Sequence, residues 1–149
     1  LAAAGRRIVF AESCTAGLAS ATLAGVPGIS RWHCGSAVTY REQTKIDWLG
    51  VSERDVTELG AVSEPVARQM ACGVLQRTPE ADVAAAITGH LGPQAPGDLD
   101  GVIYVAVAHR DAEIQLHVWR HQLASSGRSE RQQEAASLLL EHVRQQIAS

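Results

Sequence analysis

Arg7-Ile8-Val9-Phe10-Ala11 runs directly into Glu12-Ser13-Cys14-Thr15-Ala16-Gly17. Ile8 to Ala11 is short, apolar and partly β-branched, which reads as a buried strand over 7–11. The polar segment ends it. Leu18, Ala19, Ala21, Thr22 and Leu23 then suit a short helix, with Ser13 or Thr15 as its cap. Gly25-Val26-Pro27-Gly28 closes that helix. A buried strand that passes through a short polar turn into a helix is the repeating step of an α/β fold.

The pattern extends outward from this step. Leu1 to Ala4 reads as the end of a helix stopped by Gly5, and the missing initiator methionine suggests a chain that begins inside a longer sequence. No signal peptide is visible. Downstream, Trp32 to Tyr40 reads as a second strand, clearest at Ala37 to Tyr40. Arg41 to Leu49 reads as a helix closed by Gly50, and Ser52-Glu53-Arg54-Asp55 opens a short one. Ser63-Glu64-Pro65 opens a longer helix to about Gln76, with Val66, Met70 and Val74 on one face. Asp82 to Thr88 is a third strand, and Gly89 to Gly101 a loop rich in glycine and proline. Val102 to His109 and Glu113 to Trp119 are strands joined through Arg110-Asp111-Ala112 as a hairpin. Ser129 to Ile147 is a final amphipathic helix with Leu138, Leu139, His142, Val143 and Ile147 inward. Strands separated by helices favour parallel pairing and the hairpin an antiparallel part. The expectation is a single domain over 1–149: a three-layer α/β/α sandwich with a mixed, mainly parallel sheet of about five strands.

The bulk composition narrows the function. A chain of 149 residues with 46% hydrophobic and 19% charged content holds one sizeable core. A net charge of -3, with both signs mixed along the chain, lacks the basic footprint of a nucleic-acid binder. No apolar run approaches the roughly 18 residues of a membrane span. The cysteines at 14, 34 and 72 are too few and too scattered for a disulfide framework and read as reduced thiols of a cytoplasmic protein. The histidines show no metal-ligand spacing. His117 and His121 are four apart on a strand, at about 13 Å. His109, His117 and His142 read as structural, so no metal site is expected. Trp32, Trp48 and Trp119 suit a core or an interface, so a homo-oligomer stays open.

In open α/β sheets ligands bind beyond the carboxyl ends of parallel strands. Ser13 follows the first strand, Tyr40 ends the second with Lys45 just beyond it, and Thr88-Gly89 ends the third. One rim would then collect a hydroxyl, a phenol, an amine and a glycine-bearing loop. Ser13 needs a base to become a nucleophile. Lys45, the only lysine beside twelve arginines, is the candidate base, since a dry pocket lowers a lysine's proton affinity. Tyr40 could bridge the two or help pass the proton. Free N–H groups at the helix start, around Thr15 and Gly17, could hold an oxyanion or phosphate. Thr88-Gly89-His90-Leu91-Gly92-Pro93 could cradle a phosphate, and Arg128 could pair with a phosphate or carboxylate. Plain roles compete throughout. Ser13 or Thr15 can be simple caps, Lys45 a solvated helix residue, and the loop an ordinary turn. Cys14, a rival nucleophile, has no histidine partner and suits a small buried side chain.

Ala11-Glu12-Ser13-Cys14-Thr15-Ala16-Gly17 resembles the A-E-S-C-T-G-G signature of the CinA C-terminal domain family, which includes stand-alone nicotinamide-nucleotide amidases. The match continues through Gly25 to Ser30, Val38-Thr39-Tyr40 with Lys45, Leu49-Gly50-Val51 and Gly60 to Ala67. It resumes at Thr88-Gly89, Gly92-Pro93, Gly101 and, weakly, Arg128. The resemblance implies the three-layer sandwich and hydrolysis of nicotinamide mononucleotide, a pyridine nucleotide, to nicotinate mononucleotide and ammonia. It implies Ser13 as nucleophile with Lys45 and Tyr40, and no cofactor. Three places depart from the family pattern. Ala16 replaces a glycine. His90-Leu91 replace a small apolar pair ahead of a shortened Gln94–Gly101 stretch that lacks the usual lysine. Ser126-Gly127-Arg128 stands where G-D-R is common. A hydrolase with a different small substrate, or a non-catalytic nucleotide- or protein-binding module, is the alternative expectation.

Overall fold

The computed structural model describes residues 1–111 and 113–148. Its elements run β1 (Ile8–Glu12), α1 (Leu18–Ala24), β2 (His33–Val38), α2 (Glu42–Leu49), α3 (Glu53–Leu59), α4 (Glu64–Arg77), β3 (Val83–Gly89), β4 (Val102–Arg110), β5 (Ile114–Gln122) and α5 (Arg128–Ala148). The expected order is met, with one 3-10 turn added at Ile29–Arg31. The five strands lie in the order β2-β1-β3-β4-β5. β1 is parallel to β2 and to β3, whereas β3–β4 and β4–β5 are antiparallel. Only the β2-β1-β3 part therefore builds a rim of carboxyl ends.

Both faces of the sheet are covered, by different kinds of side chain. Ile8, Phe10, Val83, Ile87, Ile103, Val105 and Val107 pack against Ala19 of α1 and Ala135, Leu139 and Val143 of α5. On the opposite face Ala11, Ala84, Ala86, Ala106 and Ala108 meet Val66, Met70, Val74 and Leu75 of α4. Alternate residues of one strand point to opposite faces, so β3 presents Val83, Ala85 and Ile87 to one layer and Ala84 and Ala86 to the other. The alanines leave room for the larger side chains of α4. Gly73 serves a close approach: a Cβ there would lie 2.1 Å from the Leu49 carbonyl oxygen at the end of α2.

Several boundaries move, with identifiable causes. β2 ends at Val38, so Tyr40 stands past the strand rather than at its end. β5 runs beyond Trp119 to Gln122, because Gln122 still pairs with Val102. The expected hairpin turn includes Ala112, which lies outside the described residues. Leu1 to Gly5 forms a turn in which the Arg6 N–H reaches the Leu1 carbonyl at 3.2 Å and the Gly5 N–H reaches that of Ala2 at 3.2 Å. Gly5 has φ 62°, so this is the glycine-terminated pattern that closes helices. Among the described residues, no helix is long and apolar enough to cross a membrane.

Candidate active site

The site begins with a residue the sequence reading passed over. Glu12, the last residue of β1, is fully buried. Its Oε2 accepts from Thr15 Oγ1 at 2.7 Å, Gly17 N at 3.0 Å and Ala19 N at 3.1 Å. Its Oε1 accepts from Ser20 N at 2.9 Å and Ser36 Oγ at 3.1 Å. The chain reaches this arrangement through two left-handed residues, Ala16 at φ 52° and Gly17 at φ 94°. They turn the first N–H groups of α1 back onto the carboxylate. Gly17 is the N-cap, and no side chain in the cap position bonds to the helix. Neither Ser13 nor Thr15 caps α1, and Glu12 takes that role from a distance. Of the N–H groups around Thr15 and Gly17 expected to hold an oxyanion or phosphate, that of Gly17 is already engaged by Glu12, as are those of Ala19 and Ser20. Thr15 and Gly17, expected to contact substrate, turn to Glu12 instead. The signal in the sequence was an acidic residue closing an otherwise apolar strand, a few residues before a threonine and a glycine.

Fixing this turn presents Ser13 on its other side. The Ser13 N–H donates to the Ile87 carbonyl at 3.0 Å, which ties the turn to β3. Lys45 Nζ lies 2.9 Å from Ser13 Oγ and donates to the Thr39 carbonyl at 2.8 Å, with the Tyr40 carbonyl at 3.5 Å. Lys45 enters from the second turn of α2 and is 1% exposed. Burial pushes its ammonium down to about 8, because the charged form is poorly solvated there, and the nearby Glu42 carboxylate only partly offsets this. A free amine has two hydrogens and one lone pair. The Thr39 and Tyr40 carbonyls accept the hydrogens, which leaves the lone pair for the Ser13 hydroxyl.

The neighbouring Cys14 has the opposite character. It is 5% exposed, and burial pushes its thiol up to about 12. A thiol held protonated is a poor nucleophile, so it keeps the small-core reading. Cys14, Cys34 and Cys72 are all free.

Ser13 and Lys45 open into a cleft of about 260 Å³, walled also by Tyr40, Glu42, Val62, Thr88, Gly89 and the His90–Pro93 segment, with Arg128 at its edge. Tyr40 is half-exposed, and its phenol oxygen accepts from Arg128 Nη2 at 2.8 Å. Among the described residues no hydrogen bond joins that phenol to Ser13 or Lys45, so the expected bridge is not formed. Tyr40 reaches Lys45 only through its backbone carbonyl. Arg128 also donates through Nη1 to the Gly92 carbonyl at 2.5 Å, spanning the mouth of the cleft. Thr88 Oγ1 is spent on the Ala61 carbonyl at 2.8 Å. Gly89 is required by packing rather than by ligand approach, since a Cβ there would meet Ile103 Cγ2 at 2.4 Å. His90 lines the cleft, and burial lowers its imidazole from the ordinary value, with Asp100 opposing.

Away from this rim, a larger groove of about 570 Å³ lies between residues 1–4, the end of α1 and the end of α5, with an almost wholly apolar lining. His121 and His142 meet Nε2 to Nε2 at 2.7 Å, and His142 stacks on Trp119 at 4.0 Å between ring centroids. No group of three or more metal-capable side chains gathers among the described residues.

A three-layer α/β/α sandwich with a buried serine–lysine pair at the carboxyl rim of its parallel strands defines the class of protein. The CinA C-terminal domain profile matches residues 1–147, and the chain belongs to that family. Among relatives, a CinA-like protein of Mycobacterium leprae is 51% identical over 90 residues, 60% of this chain. A CinA-like protein of Mycolicibacterium gilvum is 47% identical over 110 residues, 72% of this chain. The chain spans only 21% and 26% of these two relatives. Among solved structures, the competence/damage inducible protein CihA from Agrobacterium tumefaciens superposes with a TM-score of 0.88 at 32% identity, covering 97% of this chain and 87% of that one. The competence damage-inducible protein A of Klebsiella pneumoniae gives 0.90 at 27% identity, covering 98% of this chain and 89% of that one.

Proposed function

We propose that the cleft hydrolyses a small amide, with Ser13 as nucleophile and Lys45 as base, and that the amide is nicotinamide mononucleotide. The observation that carries this reading is the 2.9 Å approach of a buried Lys45 amine to Ser13 Oγ. At neutral pH a lysine with a pKa of about 8 is roughly one-tenth free base. An ordinary lysine is free base only to a few parts in ten thousand. The shift raises the supply of base by about two orders of magnitude.

The free amine takes the Ser13 proton as Oγ attacks the amide carbon. The ammonium so formed is held by the Thr39 and Tyr40 carbonyls and returns its proton to the departing nitrogen, releasing ammonia and leaving an ester on Ser13. Water then attacks the ester with Lys45 again as base, giving the carboxylate and free Ser13. Tyr40 belongs to the mouth rather than to the proton path, and with Arg128 it faces the outer part of the substrate. A mononucleotide suits this polarity, with its amide at the buried end and its anionic phosphate toward the Arg128 guanidinium. Thr88, Gly89, His90 and Gly92 shape the remaining wall, whereas Thr15 and Gly17 serve the turn behind Ser13.

Ammonia release from nicotinamide mononucleotide by the purified protein tests the reading. Ser13→Ala should reduce it at least a thousandfold, and activity that survives this change would remove Ser13 from the mechanism. His90 supports one alternative, a related hydrolase with another small substrate, because its imidazole enters the wall where the family usually carries a small apolar residue. Release of ammonia or another leaving group from a different amide, with nicotinamide mononucleotide untouched, would favour it.

A further inference from the structure

The wall of the cleft opposite Ser13 is held from behind. Residues 90–101 carry no helix or strand. Their stem is closed by the His90 N–H on the Val102 carbonyl at 2.9 Å and the Gly101 N–H on the His90 carbonyl at 2.9 Å. The Leu91–Gly92 stretch that faces the cleft is anchored by side chains of α5. Arg131 uses all three guanidinium nitrogens for this. Nε donates to the Ser125 carbonyl at 2.8 Å, and Nη1 to the Leu91 carbonyl at 3.3 Å. Nη1 and Nη2 donate to the two oxygens of Asp100 at 2.9 and 3.0 Å. One rigid fork thus ties both ends of the loop to the connection between β5 and α5.

The backbone is packed directly on this pair from two sides. A Cβ on Gly92, at φ 72°, would lie 2.6 Å from Asp100 Oδ1 and 2.8 Å from Arg131 Nη1. A Cβ on Gly101, at φ 71°, would lie 3.2 Å from Arg131 Cζ. Gly92 is therefore fitted to the Arg131–Asp100 pair, and Gly101 to Arg131 together with Gln122 Nε2 at 2.9 Å. The Arg131 side chain is 12% exposed and Asp100 54%, so the ion pair stands at the surface while the bonds to the Ser125 and Leu91 carbonyls are partly buried.

We infer that Arg131 and Asp100 are positioning residues that set the substrate wall of the cleft. Neither touches Ser13 or Lys45, so their influence falls on how substrate is held and not on the proton path. This rests on the amidase reading for its kinetic consequence and on the geometry alone for its structural one. The experiment uses Arg131→Ala and Asp100→Ala, with steady-state kinetics on nicotinamide mononucleotide and amide hydrogen exchange over residues 90–101. Both variants should raise KM at least tenfold with kcat within about threefold, and should speed exchange at Leu91 and Gly92. Guanidinium ion added to Arg131→Ala should bring KM back toward the parent value, a rescue that general loss of packing would not show. An unchanged KM in an active enzyme, a fall in kcat with KM constant, or exchange at Leu91 and Gly92 no faster than in the parent overturns the inference. Should Arg131→Ala not fold, Asp100→Ala decides, because its side chain is 54% exposed and its removal leaves no void. A parent protein that releases no ammonia refutes the amidase reading instead, and the exchange measurement then judges the wall by itself.

Discussion

Removing the Glu12 carboxylate should be among the most damaging single changes in the chain. Glu12→Ala strands the Ala19 N–H, which is buried, and the Gly17 and Ser20 N–H groups, which are partly buried. The Thr15 and Ser36 hydroxyls can rotate and lose less. An unsatisfied buried donor costs about 1–3 kcal/mol, and removing one partner from a buried charged network costs about 3–5 kcal/mol. The expected loss is about 3–5 kcal/mol, read as a lower urea midpoint at unchanged m-value and a melting temperature lower by roughly 10 °C. Glu12→Gln separates geometry from charge. The Gln oxygen can keep the Oε2 set of Thr15, Gly17 and Ala19, while its amide nitrogen faces the Ser20 N–H and donates to Ser36 Oγ. One donor is then lost, so Gln should cost about 1–2 kcal/mol. If both variants stay within about 1 kcal/mol of the parent, the carboxylate does not organise this turn. If Gln is as harmful as Ala, the account of which oxygen serves which donors is wrong.

The lowered Lys45 pKa makes a second prediction: kcat/KM should rise about tenfold per pH unit below pH 8 and level off above it, and a limb near pH 10 would show an unshifted lysine. The same shift has a stability consequence. Between about pH 8 and 10.5 the unfolded chain holds the extra proton at Lys45, so this group by itself adds about 3 kcal/mol of stability as pH rises, while the raised Cys14 thiol subtracts from it above about pH 9. Denaturation of Lys45→Met across that range should show this gain abolished. Tyr40→Phe should leave kcat within about tenfold while raising KM, because only the bond to Arg128 is lost; a thousandfold fall in kcat would return the phenol to the proton path. Gly73→Ala should destabilise by several kcal/mol in urea unfolding, since its methyl would strike the Leu49 carbonyl. Ala16→Gly should stabilise by up to about 1 kcal/mol, by relieving a left-handed alanine.

The element order was legible because apolar periodicity and turn residues agree along the chain, as at Ser63-Glu64-Pro65 and Gly50. The meeting of Ser13 with Lys45 was legible from topology, since parallel strands bring their carboxyl ends to one rim. What escaped was whatever depends on side-chain direction. Glu12 lies at the end of a strand, and only the left-handed turn at Ala16 and Gly17 shows that three helical N–H groups face it. Tyr40 precedes Lys45 by five residues, which places it nearby but does not say that its phenol swings to Arg128 on a distant helix. Arg131 and Asp100 are about 30 positions apart, and their pairing follows from the loop's path.

The sheet order also bears on how the molecule assembles in time. β4 and β5 are neighbours in sequence and can pair early, as local contacts form fastest. β1 must wait, because Ile8 aligns with Val83, far along the chain, while its other edge takes His33 and Gly35. The rim is complete only when β1 has met both neighbours, since the Ser13 N–H is tied to Ile87 of β3 and Lys45 reaches Ser13 from beyond β2. A half-folded chain carries a solvated Lys45 with no bond to Ser13, so the contact between these two side chains is itself a late marker of folding.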